Sequence, residues 1–428
     1  MLVQFSVRNY RSYRDLVTFS MLASSLTEHR ERVIQHCGLK LLRTGMIFGS
    51  NASGKTNLFI ALSFMKTLVY SSNLRPSSQP IEAEPFLLDA LSAKEASFFE
   101  IVFFSDDCLY RYGFEVNPER VIKEWLYSKK CVSYAREIMV FERSDGGIGF
   151  DPRNPLPDAI TSIMDKSLRQ NALLVSFLDQ FNILEAGKVM RFFRSITIDI
   201  GRAKQFIPLT NTLERGLVPL PWIENFIRIA DLGIDGLELE TIQVDASERI
   251  EDHDLLINNT IRNGSPRISS LHKFYDPASN ETKTKHFDLA HHESAGTKRL
   301  IDLAARLYPV LKNGEILVID EIDNSMHYFL TRIVIALFQS PETNPKNAQL
   351  IFTTHDVIHL NRNDFRRDEI WFVDKDFRNS SKLYSLAEFK VRKDASFDVD
   401  YLRGRYRAVP KLEFDDFARL LNGEESDE

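Results

Sequence analysis

Four stretches of this sequence set polar side chains at spacings that can do chemistry. The first, Gly49 to Thr56, reads GSNASGKT and fills the whole GxxxxGKT pattern. Backbone N–H groups along Gly49, Ser50, Asn51, Ala52, Ser53 and Gly54 can point at phosphate oxygens, and the glycines let that backbone come close. Lys55 adds charge for the β- and γ-phosphates, and Thr56 offers its hydroxyl to Mg²⁺. The second stretch, Glu315 to Glu321, is EILVIDE: an apolar strand delivering Asp320 toward the metal and Glu321 to polarise an attacking water. A strand that ends in two acids is also common with no such role. In the third, HHESAGTKRL, Ser294 to Thr297 (SAGT) opens a helical run, so that Ser294, Ala295, Gly296 and Thr297 form either an anion site or a plain helix cap. In the fourth, LIFTTHD, His355 follows a strand, where a lone histidine is ordinarily a structural residue.

Elements of the right kind flank each stretch. An apolar run from about Leu41 to Phe48 leads into the loop, and Leu58, Ala61, Leu62 and Met65 follow at helical spacing. Strand, glycine-rich loop and helix in that order are the context a phosphate-binding loop requires. Leu2, Phe5 and Val7 read as a first strand, with Leu16, Val17 and Phe19 as a second after a turn. From Phe98 to about Phe150 the period is two, with Tyr110, Tyr112, Phe114 and Val116 alternating and then Ile122, Trp125 and Tyr127, which predicts antiparallel strands. Ile160 to about Phe193 forms a helical block, with a further helix near Trp222 to Ile229. The last third alternates helix and strand, as expected of a parallel sheet. No heptad pattern is sustained, which excludes a long coiled-coil arm.

Bulk composition narrows the class. With 43% hydrophobic and 27% charged residues, the chain can build a full core, and only the acidic tail, Gly423 to Glu428, is expected to fray. A net charge of -6 argues against a chain-wide basic field. Cys37, Cys108 and Cys131 stand far apart without a CxxC pair and are expected to be reduced thiols. Arg8 interrupts any signal-peptide core, and no run approaches the ~20 apolar residues that span a bilayer. The expectation is a cytoplasmic protein with no membrane contact.

Taken in order, these parts resemble the OLD-like ATPases that stand alone without a fused nuclease. These are the RloA type found beside bacterial phage-defence genes, within the ABC-type heads that include SMC, RecF and Rad50. The likeness runs from NYRSY through GSNASGKT, ESAGTKRL, VIDEIDNSMH and IFTTHD to YLRGRYRAVP. It implies an α/β ABC-type ATPase head: a RecA-like parallel sheet plus an antiparallel β subdomain, with a helical insertion. The expected division is 1–155 for the N-terminal lobe, 156–245 for the insertion and 246–428 for the C-terminal lobe. By position it makes Arg11 and Ser12 nucleotide contacts, Gly49 to Thr56 Walker A, and Ser294 to Thr297 the signature. Asp320 and Glu321 become Walker B, with Glu321 catalytic, and His355 the switch histidine. Glu293 opens the signature where other members carry leucine, as OLD-like proteins do. His327, followed by Tyr328, stands at the usual D-loop aspartate, and Gln170 and Gln180 both remain candidates for the Q-loop.

The resemblance also implies an ATP phosphohydrolase using ATP and Mg²⁺. Two copies, as a homodimer or within a higher homo-oligomer, would grip nucleotide between the loop of one and the signature of the other. Too few residues follow His355 for a fused nuclease, so a separate effector, a toxin or nuclease in anti-phage defence, is the expected partner. The alternative is a RecF-like DNA-processing ATPase, whose surface would be YLRGRYRAVPK, with Arg403, Arg405, Arg407 and Lys411 among Tyr401 and Tyr406. That segment reads equally as a solvated loop. A third reading, a metal nuclease, rests on Asp374 with Asp376 and Asp398 with Asp400, each pair placed on one face of a strand.

Overall fold

A computed structural model describes residues 1–201, 209–230, 232–241, 266–392 and 395–409. Contacts group these into two compact units. The first holds Met1–Gly201, Gly314–Ile322 and the described residues from Ile335 onward; the second holds the described part of 202–313 together with Asp323–Val334. The three-segment division at 155 and 245 therefore cuts across both.

In the first unit an antiparallel sheet runs in the order Gly147–Phe150, Ile138–Ser144, Val121–Lys130, Cys108–Val116, Ser97–Ser105, Leu2–Arg8, Val17–Ser20. Its core face is the one the alternation marks: Tyr110, Tyr112, Phe114 and Val116 are all fully buried. On the next strand the buried positions are Val121, Glu124 and Leu126, and Trp125 and Tyr127 are only partly covered. Glu124 faces inward because its carboxylate accepts from the N–H groups of Leu174 and Val175 and from Tyr112 Oη. Burial pushes that carboxyl above its ordinary range. The tie docks the helical block, observed as Asp158–Ser167, Leu174–Asp179 and Leu184–Arg194, into the first unit's core.

The second sheet of this unit has the order Ile196–Asp199, Ile316–Ile319, Gln349–Thr353, Thr44–Phe48, Ile370–Lys375, Ser381–Ser385. The first five strands are parallel and the edge strand is antiparallel. Its central strands, TGMIF and QLIFT, are buried at every position, as parallel strands covered on both faces must be. The Lys55–Ser71 helix packs Leu58, Leu62 and Met65 into one hydrophobic cluster with residues of both sheets. The α/β class expected from the sequence is the one observed.

The second unit has its own cluster, in which Ile223 and Ile227 of the Leu220–Ile229 helix meet Ile301, Ala304 and Ala305 of the Ala295–Asn313 helix. A three-stranded antiparallel sheet, Gly236–Thr241, Pro266–Asp276 and Glu281–Asp288, completes it. Its Pro266–Asp276 and Glu281–Asp288 hairpin is absent from the sequence reading, because the stretch KFYDPASNETKTKH is polar on both faces. The thiol expectation is corrected: Cys37 and Cys131 form a disulfide, and Cys108 is the free cysteine. The sheet brings the end of the Val121–Lys130 strand beside the hairpin of Ile34–His36 and Leu39–Leu41, which linear spacing hides. No helix among the described residues is long and apolar enough to cross a membrane. Lys411 and the tail Gly423 to Glu428 lie outside the described residues.

Candidate active site

The loop leaves the buried Thr44–Phe48 strand and closes onto the N-terminus of the Lys55–Ser71 helix. Both of its glycines are sterically required. A Cβ on Gly49 would stand 2.4 Å from the Val373 carbonyl oxygen, and one on Gly54, at φ +117°, 2.2 Å from Ser381 Oγ. Lys55 is buried, with Nζ donating to the Gly49 oxygen at 2.7 Å and the Ser50 oxygen at 3.0 Å.

The first turn of the chain braces this loop from outside. Tyr13, fully buried, donates from Oη to the Gly54 oxygen at 3.0 Å, and burial raises its phenol pKa well beyond the ordinary range. Ser12 Oγ accepts from Asn57 Nδ2 at 2.8 Å and stands 2.8 Å from Ser381 Oγ. Ser12 thus sits at the loop. Arg11 is engaged elsewhere, its Nε lying 3.0 Å from Glu84 Oε2. Tyr13 and Ser381 were missed by sequence reasoning: one is a tyrosine in a run read as a turn, the other is distant along the chain.

At the adjoining strand ends the acids meet the loop. Thr56 Oγ1 donates to Asp320 Oδ2 at 2.8 Å, and Thr353 Oγ1 donates to Asp320 Oδ1 at 2.6 Å. Thr353 Oγ1 also accepts from the Glu321 N–H at 2.7 Å, so one hydroxyl orients both acids. Glu321 takes a left-handed backbone, φ 51°, which is uncommon for a residue with a side chain. Its carboxylate is half-exposed, with Oε1 lying 3.7 Å from His355 Nε2. Thr56, Asp320, Glu321 and His355, read from separate stretches, are therefore brought together. Thr353 was read only as part of a strand.

The serine-glycine turn belongs to the second unit. Ser294 Oγ accepts from the Thr297 N–H at 3.1 Å and stands 2.8 Å from Thr297 Oγ1, the geometry of a helix cap, while Ser294 and Ala295 remain exposed. Gly296 admits no side chain, because a Cβ would lie 2.6 Å from the Ser325 oxygen. Glu293, in the place of leucine, accepts from Ser270 Oγ at 2.6 Å and pairs with His272 Nε2 at 2.8 Å, which pins the turn to the three-stranded sheet. His327 Nδ1 accepts from the Phe329 N–H at 3.3 Å and so caps the helix that begins at Tyr328.

The remaining candidates lie elsewhere in the fold. The Gln170 carbonyl accepts from the Val121 N–H, and Gln180 ends the Leu174–Asp179 helix. Asp376 Oδ1 accepts from the N–H groups of Arg378 and Ser380 and shapes a turn. Asp398 and Asp400 lie on a helix, Phe397–Leu402, and not on the expected strand; Asp400 pairs with Arg405 at 2.8 Å. Tyr401 and Tyr406 are buried against Phe372, so they offer no base-stacking face.

A glycine-cradled loop at a helix start, beside an acidic strand of a parallel sheet, defines a P-loop nucleotide-binding fold. The family model described as "AAA domain, putative AbiEii toxin, Type IV TA system" matches residues 46–361, and the chain belongs to that family. No curated protein sequence shows a significant match. Among solved structures the chain is similar to an SMC head bound to the C-winged helix domain of ScpA, at 14% identity. That match covers 90% of this chain and 97% of the other, with a TM-score of 0.40. It is also similar to the recombination mediator RecF with ATP, at 14% identity over 90% and 97% of the two chains and a TM-score of 0.32. Neither likeness is close enough to carry a residue role across.

Proposed function

We propose that this chain is an ATP-hydrolysing ABC-type head that pairs with a second copy around ATP and thereby controls a separate effector. The observation that carries the reading is the hydrogen-bonded run Thr56–Asp320–Thr353–Glu321, with His355 beside Glu321. The loop N–H groups and Lys55 bind the triphosphate, and Gly49 and Gly54 let the loop pack tightly against Val373 and Ser381 while it keeps the curvature that turns its N–H groups inward. Thr56 and Asp320, a hydroxyl and a carboxylate, are a donor set suited to Mg²⁺, which when bound neutralises charge on the β- and γ-phosphates. Glu321 orients and polarises the attacking water, and His355, beside the Glu321 carboxylate, donates toward the γ-phosphate. Ser294 to Thr297 supply hydroxyl and N–H groups to the nucleotide held by the other copy. Arg11 is a nucleotide contact only once it leaves Glu84.

The family's description, which names a putative toxin of a toxin–antitoxin system, supports a place in such a two-component system. The DNA-processing alternative keeps its exposed arginines, Arg403 and Arg407, but loses its aromatic platform to the core. The test is Glu321→Gln. It should bind ATP with near-parental affinity, lose turnover by at least roughly a hundredfold, and accumulate as an ATP-dependent dimer on a sizing column. A variant that hydrolyses normally, or stays monomeric with saturating ATP, overturns the proposal.

A further inference from the structure

Far from the phosphate loop in chemical character, one cluster gathers soft-metal ligands. The sulfurs of Cys37 and Cys131 and a ring nitrogen of His36 all lie within 4.8 Å of one another. Cys37 and Gly38, at φ 49° and 76°, form the two-residue turn between the strands Ile34–His36 and Leu39–Leu41. Such turns favour asparagine, aspartate or glycine, and a cysteine here goes against that preference. Cys131 follows the Val121–Lys130 strand, and its N–H donates to the Asp107 oxygen at 2.9 Å. The His36 ring stands edge-on to Phe104 at 4.6 Å, and its Nε2 is buried without a hydrogen-bond partner. A buried ring nitrogen left unpaired is costly, and coordination of a cation removes that cost.

We propose that in the dithiol state Cys37, Cys131 and His36 hold a soft divalent cation of the zinc class, with a fourth position left to water. Two thiolates and an imidazole suit zinc, and the absence of a carboxylate from the cluster disfavours Mg²⁺ and Ca²⁺. The disulfide observed here is the alternative state of the same residues, since a sulfur bonded to sulfur has no thiolate charge to give a metal. A low-molecular-weight disulfide interconverts the two. The Cys37 and Cys131 thiolates give up two electrons and become joined, the small disulfide accepts them and leaves as two thiolates, and the cation departs with His36 neutral. The proposal does not depend on the reading of the nucleotide site.

The test uses the full chain, reduced with a phosphine that is then removed without air, and titrated with Co²⁺ as the probe. A thiolate-to-cobalt charge-transfer band should saturate at one equivalent and be displaced by Zn²⁺. Cys37→Ser should abolish the band, and His36→Ala should weaken binding by roughly tenfold or more. Oxidised glutathione should release zinc in step with the Cys37–Cys131 bond seen by mass spectrometry. Absence of the band in the reduced parent protein, its persistence in Cys37→Ser, or zinc retained after oxidation would each overturn the proposal.

Discussion

Thr353 shows how much a single hydroxyl can decide. It donates to Asp320 and accepts from the Glu321 backbone, so the direction of one acid and the left-handed turn of the other depend on it. Thr353→Val keeps the shape and removes both bonds. We expect nucleotide affinity to change little and kcat to fall by roughly 10- to 100-fold, read from turnover beside equilibrium nucleotide binding. An unchanged kcat would show that Thr353 only fills space. The candidate site was legible where chemistry dictates residue type, at Lys55, Thr56, Asp320 and Glu321. It was illegible at Thr353, Tyr13 and Ser381, whose types are ordinary and whose partners come from distant parts of the chain.

Among the elements, the strand that feeds the loop meets a buried acid from the start of its neighbour, Ile370–Lys375. Thr44 Oγ1 donates to Glu369 Oε1 at 2.6 Å, and Glu369 Oε2 accepts from the Arg366 N–H at 2.8 Å. Burial pushes this carboxyl from its ordinary 4.5 up to about 7. The fold therefore prefers the protonated form: stability is complete below about pH 4.5 and declines as pH rises through 7. Glu369→Gln removes the titration. Denaturant midpoints should show it more stable than the parent at pH 8, by about 1–3 kcal/mol, with the gain shrinking toward pH 5. A difference independent of pH would assign the effect to packing. The elements themselves were readable where periodicity is strong, as in Tyr110 to Val116 and in QLIFT. They were not readable where polar residues face both ways, as in Lys273 to His286, or where a buried acid such as Glu124 replaces an apolar residue.

At the scale of the whole molecule, the loop and the serine-glycine turn belong to different units, and the proposed pairing puts two chains around each nucleotide. Lys55→Ala and Ser294→Arg should each be inactive alone. Mixed in equal amounts they should regain roughly a quarter of parental turnover, because half the pairs then hold one intact composite site. A steady-state ATPase assay of the mixture checks this, and no recovery would place both elements in a single-chain reaction. The path of the chain adds a mechanical consequence. The Ile316–Ile319 strand is entered from the second unit by way of the Ala295–Asn313 helix and returns to that unit after Ile322. Asp320 and Glu321 occupy the short span between strand and crossing. Tension applied to the second unit by anything that grasps it is thus delivered along covalent bonds to the two acids, as a bell-pull is wired to its clapper.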